Sequence, residues 1–200
     1  FTKDGGQTWT KSKLPSSFGV FGHPAVIAND KGDFFYFHVS DPTLGEGGYD
    51  SEKLDRIVIH SSADGGQNWT AGESIGLNHP KDQTRQWATT DGRGNLFVAW
   101  TQFDKYGETD PGCKSNILFS MSKNGKKWSE PSTISQGPGS CVDDDDTPEG
   151  GIPAVSFDGK VFVAWSQQGK IFLHRSFNGG DWSLSNDIHV ADQPAGWNLK

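Results

Sequence analysis

Two hundred residues with a formal net charge of −7, 26 glycines and eight tryptophans make an acidic, turn-rich chain of ordinary single-domain length. The acidity argues against nucleic acid as a partner. No apolar run is long enough to span a bilayer, and no stretch has the layout of a signal peptide.

The chain opens on Thr2-Lys3-Asp4-Gly5-Gly6-Gln7-Thr8-Trp9, a turn sequence that returns three times. It reappears as Ser62-Ala63-Asp64-Gly65-Gly66-Gln67-Asn68-Trp69. Two shorter forms put Asn in place of Asp, ending Asn124-Gly125-Lys126-Lys127-Trp128 and Asn178-Gly179-Gly180-Asp181-Trp182. The tryptophans fall 60, 59 and 54 residues apart, a period that means a repeated supersecondary unit. Between the turns, apolar β-branched and aromatic runs alternate with Asp-Gly-type connectors. His23–Ala28 leads through Asn29–Gly32 into Phe34–Val39, Gln86–Thr90 through Asp91–Gly94 into Leu96–Trp100, and Ile152–Ser156 through Asp158-Gly159 into Val161–Trp165. These pairs read as strand hairpins. Third strands are expected at 56–61, 116–121 and 170–175, each running into a repeated turn, with a fourth strand leaving it. No segment sustains helical spacing.

The expected fold is therefore all-β: a β-propeller of four-stranded antiparallel blades. Three complete blades fall at about 20–75, 84–135 and 151–192, with 1–19 as the end of a preceding one. The recurrent turn resembles the Asp-box, or bacterial neuraminidase repeat, of sialidase-like propellers. Asp4, Trp9, Asp64, Trp69, Asn124, Trp128, Asn178 and Trp182 carry the resemblance. It implies a six-bladed ring, so that the remaining blades would come from further sequence, and it implies a secreted, periplasmic or cell-surface protein. In the turn, the acid can accept backbone N–H groups, the glycines can take φ > 0, and the tryptophan can wedge between sheets. These are folding roles, and the family's boxes lie on the face away from its active site.

Candidate chemistry sits on the opposite face, in the long loops 20–23, 41–55, 78–85, 103–115 and 136–151. They hold 14 of the 25 carboxylates against five lysines and arginines, so this face suits a cation, a proton or a neutral polar ligand. Cys113 and Cys141 occupy two neighbouring connections that emerge on this face. They are read either as a disulfide, pointing to an oxidising compartment, or as two free thiols. The run Asp143-Asp144-Asp145-Asp146 is read either as a calcium site, since a hard cation relieves carboxylate repulsion, or as a solvated acidic loop. Asp82 and Arg85, His23, and Glu149 stand at three channel entrances. Tyr106 and Glu108 share a loop and could act as nucleophile and base, while Asp82 and Glu149 could serve as paired carboxylates of another glycosidase.

The sialidase resemblance implies three arginines on the substrate carboxylate, a Tyr–Glu nucleophile, an Asp acid/base and an Arg-Ile-Pro motif. Of the four arginines, only Arg85 is well placed. Gly151-Ile152-Pro153 lacks the guanidinium. Two readings follow: a sialidase-like glycoside hydrolase acting on extracellular glycans, or a non-catalytic Asp-box propeller acting as a glycan- or protein-binding module, with a glycan or glycoprotein as the expected ligand.

Overall fold

A computed structural model describes residues 1–41, 54–183 and 186–193. These residues form twelve strands and no helix, and hence no helix able to cross a membrane. The strands are β1 (Gly22–Ala28), β2 (Phe34–Val39), β3 (Ile57–Ser62), β4 (Glu73–Ile75), β5 (Asp82–Thr90), β6 (Leu96–Phe103), β7 (Ser115–Ser122), β8 (Ser132–Thr133), β9 (Glu149–Val155), β10 (Val161–Gln167), β11 (Lys170–Ser176) and β12 (Ile188–Asp192). They pair in chain order into three antiparallel sheets, β1–β4, β5–β8 and β9–β12. Each is a blade of a β-propeller. The acidic positions 46, 50 and 52 of the first long loop lie outside the described residues.

The core lies between blades. Along β6 every residue is buried, because its two faces serve two cores. Leu96, Val98 and Trp100 pack with Phe37, Val39 and Ile57 of the first blade. Phe97 and Ala99 pack with Val161, Val163 and Trp165 of the third. Burying one such side chain is worth roughly 1.5–3 kcal/mol, so this central strand holds the three sheets to one another.

The repeated turns close the outer hairpins. Asp4 accepts from the Thr8 amide at 2.9 Å, and Asp64 from the Gln67 and Asn68 amides at 3.0 and 2.9 Å. Asn124 and Asn178 do the same within their shorter turns. In the two longer turns the indole N–H reaches back to a glycine carbonyl, Trp9 to Gly6 and Trp69 to Gly66. One residue fewer removes that reach: the buried Nε1 atoms of Trp128 and Trp182 find no acceptor among the described residues. Those two rings instead wedge between blades, Trp128 edge-on to Phe37 and Trp182 edge-on to Phe119. Trp9 departs from the expected role. It is 71% exposed, with no sheet packed beyond it among the described residues.

A second repeat was not apparent in the sequence. His60, Ser120 and His174 hold the same place on the third strand of each blade, two residues before the turn serine. Each binds a carbonyl at or just after the turn tryptophan, those of Thr70, Ser129 and Trp182. A side chain on the strand thus fixes where the fourth strand departs.

Candidate active site

The innermost strands begin with the same irregularity. Register slips between Gly22 and Ala25 on β1, between Thr84 and Trp87 on β5, and opposite Ala164–Ser166 on β9. Within each slip one residue turns to the left-handed region: His23 (φ 54°), Arg85 (φ 56°) and Gly150 (φ 70°). Counting from the ladders, these three positions are equivalent. A bulge frees its extra residue from pairing and re-aims it. A non-glycine residue there costs on the order of 1–3 kcal/mol, and such strain gathers at functional sites.

Arg85 is the hub. Its Nη2 donates to Asp143 Oδ1 at 2.6 Å, and its Nη1 lies 3.2 Å from Glu149 Oε1. The second contact is charge against charge rather than a directed bond, since Nη1 has no hydrogen-bond acceptor in line. The guanidinium also lies over the Phe103 and Tyr106 rings, 5.9 and 5.7 Å from their centroids, a cation–π arrangement. Tyr106 donates its hydroxyl to Asp143 Oδ2 at 2.6 Å. Asp143 therefore holds both Arg85 and Tyr106.

The surrounding residues fix that geometry. Asp82, almost wholly buried, accepts the Tyr106 amide at 2.7 Å. Cys113 and Cys141 form a disulfide with Cα atoms 5.7 Å apart, and it packs with Phe103 and Tyr106. The Gly107 amide donates to the Cys141 carbonyl at 2.8 Å. The disulfide thus ties the Tyr106 loop to the segment that leads into Asp143. Gln86 donates through its amide nitrogen to the His23 carbonyl and joins the first two inner strands.

The ionisable groups are pushed in different directions. Burial raises the Glu149 carboxyl, and Asp143 adds to the rise against the opposing charge of Arg85. Burial also works on Asp143, but hydrogen bonds from Tyr106 and Arg85 outweigh it and leave that carboxyl below its ordinary range. Tyr106 is raised by burial and by the carboxylate it donates to. His23 is lowered by burial and then by the charge of Arg85. A pair of carboxyls separated in acidity by their surroundings is how one site supplies a proton donor and an anion together.

Arg85, Asp143, Glu149 and His23 open onto one concave surface, while Tyr106 lines a separate recess of about 260 Å³ that it shares with His23 and Arg85. A cavity of about 500 Å³ lies against β1, β5 and β9, with His23, Arg85, Trp87, Glu149 and Ser166 in its wall. A smaller lobe of about 160 Å³ continues past Arg85 and Glu149 to Asp143 and Thr147.

Not every sequence candidate joins them. Glu108 does not pair with Tyr106; it accepts the Thr109 amide at 2.8 Å and faces Lys105, because the tyrosine hydroxyl turns to Asp143. Asp82 does not face Glu149 across the cavity; its carboxylate is taken up by the chain at Tyr106. Three of the four consecutive aspartates turn to different partners. Asp143 turns to Arg85, Asp144 accepts from Ser140 at 2.8 Å, and Asp146 accepts from Gln168 at 2.7 Å. Among the described residues no three His, Cys, Asp or Glu side chains are placed to share a metal ion. Trp87 and Ser166 were not singled out in the sequence. Aligning the three periods on their ladders, rather than on their turns, puts Trp87 two residues beyond the aligned His23, Arg85 and Gly150.

Sequence comparison matches no protein family and no curated protein. Similar folds exist among solved structures. An α-L-arabinanase of Penicillium chrysogenum aligns with TM-score 0.61 and 15% identity over 94% of this chain and 57% of that one. The GH93 α-L-arabinofuranosidase of Fusarium graminearum gives 0.59 and 15%, over 94% and 56%. A Hadza microbial sialidase gives 0.59 and 16%, over 82% and 36%. The chain shares its β-propeller fold with these structures. The chain spans between about a third and three-fifths of these structures' lengths.

Proposed function

We propose that this chain is part of a six-bladed, extracellular propeller that hydrolyses glycosidic bonds, with its centre at Arg85. The observation that carries the reading is Arg85 set between two carboxyls of opposed acidity at the mouth of a sugar-sized cavity. Glycoside hydrolysis needs one carboxyl protonated, to give its proton to the leaving oxygen, and one ionised. Glu149, raised by burial, is the proton donor. Asp143, held ionised, acts directly or by drawing the proton from Tyr106 as that hydroxyl attacks the anomeric carbon. Arg85 orients both and offsets charge as it moves. Three glycan-acting neighbours of the same fold support the reading, as does the disulfide, which suits an oxidising compartment.

The test is turnover by the full-length protein of a fluorogenic sialoside, an aryl α-L-arabinofuranoside and a panel of neutral aryl glycosides. Glu149→Gln and Asp143→Asn should each lower kcat by about 100-fold or more. Absence of turnover on every substrate would sink the hydrolase reading. Saccharide binding without turnover would favour the second reading, a non-catalytic glycan-binding propeller. The closed Tyr106–Asp143–Arg85 arrangement, which occupies the groups that would react, is the observation on its side.

A further inference from the structure

Trp87 is placed unlike three of the other tryptophans. Trp100, Trp165 and Trp182 are buried in the cores between sheets. Trp87 stands on an innermost strand, in the ladder position held by Ala25 in the first blade and Ile152 in the third. There it keeps 49% of its surface exposed, in the wall of the same cavity as His23, Arg85, Glu149 and Ser166. An indole is the largest apolar side chain available and gains most from burial. A half-open one, two residues from the strained Arg85, marks a surface that a flat apolar partner would cover.

A sugar ring is such a partner. One face of a pyranose or furanose presents C–H groups and packs on an indole, while its rim presents hydroxyls. Ligand sites pair an apolar or aromatic wall with a few converging polar groups, and here the wall is Trp87 and the polar groups are Glu149, Ser166 and His23. The charges narrow the choice. Arg85 already faces Asp143 at 2.6 Å, and Asp144 and Asp145 line the adjoining lobe, so even with Glu149 holding its proton three carboxyls meet one guanidinium. The His23 ring, lowered by burial and by the charge of Arg85, offers less positive charge than a free imidazole. A sugar carrying its own carboxylate would meet repulsion that a neutral ring would not.

We infer that Trp87 is the stacking platform of a subsite for a neutral sugar ring, beside the Arg85–Glu149 pair. The inference rests on the glycan-acting reading above and narrows it to uncharged rings at this position.

The experiment uses the full-length protein and three saccharides: arabinobiose, lactose and 3′-sialyllactose. Binding is followed by calorimetry and by intrinsic tryptophan fluorescence. At least one neutral disaccharide should bind and quench emission. Trp87→Ala should weaken that binding by about ten-fold, while Trp87→Phe, which keeps a flat ring, should stay within about three-fold. Because the ring is half exposed, Trp87→Ala should leave the melting temperature within a few degrees of wild type. Neutral-sugar binding unchanged in Trp87→Ala, or tighter binding of 3′-sialyllactose than of both neutral sugars, would overturn the inference while the glycan-acting reading stood. Failure of the wild type to bind or cleave any saccharide would overturn both.

Discussion

Arg85 and Asp143 lie 58 residues apart in sequence and meet at 2.6 Å, with Glu149 on the other arm of the same guanidinium. Each carboxyl therefore feels the shared cation and, directly, the other carboxyl. Asp143 raises Glu149 and Arg85 lowers it. Asp143→Asn removes the raising charge, so Glu149 should titrate at lower pH and the alkaline limb of kcat/KM should move to lower pH. Arg85→Ala removes the lowering charge and should move Glu149 the other way. Opposite displacements, by activity profile or by NMR titration of the Glu149 carboxyl, are the expected outcome. No displacement in either variant would show that burial alone governs Glu149.

The disulfide should matter twice. Cys113 and Cys141 are separated by 28 residues, and closing a loop of that size is worth roughly 3.5 kcal/mol in the chain-entropy treatment. Replacing both cysteines with serine should lower the melting temperature. Since the bridge packs against Tyr106, it should also weaken the Tyr106–Asp143 contact. Fluorescence of a protein unfolded in urea, with and without reductant, checks the first effect, and KM against kcat checks the second.

Gly139 tests the support of the acidic loop. A Cβ there would lie 2.1 Å from the Asp146 carbonyl oxygen and 2.4 Å from Pro148 Cδ, whereas one at Gly137 would meet nothing within 4 Å. Gly139→Ala should force the loop outward and cost about 1–3 kcal/mol, together with loss of the Asp143 contact. Gly137→Ala should be near neutral. Equal melting temperatures for the two variants would contradict this account of the backbone packing.

Asp64 gives a clear acid limb. Hydrogen bonds from the Asn68 amide and side chain and from Ser62 hold its carboxyl at about 2, below its ordinary value of 3.8. A depressed carboxyl contributes stability that is complete above its unfolded value and is lost as pH falls through the folded one. The loss should therefore fall between about pH 4 and pH 2. Thermal melts over that range should show it, and Asp64→Asn should flatten the curve.

Calcium bears on Asp143–Asp146. With Asp143, Asp144 and Asp146 each hydrogen-bonded to a different partner, addition of millimolar calcium after chelation should leave the melting temperature unchanged. A rise would mean that the loop regroups around an ion.

Much of the fold was legible because its signals are local. Asp-Gly turns, β-branched runs and the 54–60-residue period each specify their own neighbourhood, and the first three strands of each blade fall within four residues of the expected bounds. The site was legible only in part. Arg85, Glu149, Tyr106 and His23 were named because long acidic loops converge in any propeller. Their partners were not, because pairing across 37 or 58 residues depends on side-chain direction. Tyr106 sits two residues from Glu108 yet turns to Asp143, and Asp82 is drawn into the core by the Tyr106 amide. Asp143 was read as one of four equal carboxylates, although only its surroundings set it apart. Trp87 escaped notice because an aromatic on a strand ordinarily means core; only exposure distinguishes it.

The bulge shared by β1, β5 and β9 separates two kinds of inheritance. The ladders on either side of it are constrained by pairing and by a core on one face, so they tolerate little change. The single left-handed residue inside it answers to neither. Histidine, arginine and glycine stand there in successive blades without altering the sheet around them. A propeller built this way can exchange its chemistry one blade at a time, keeping its architecture while the identity of a few rim residues decides what it recognises.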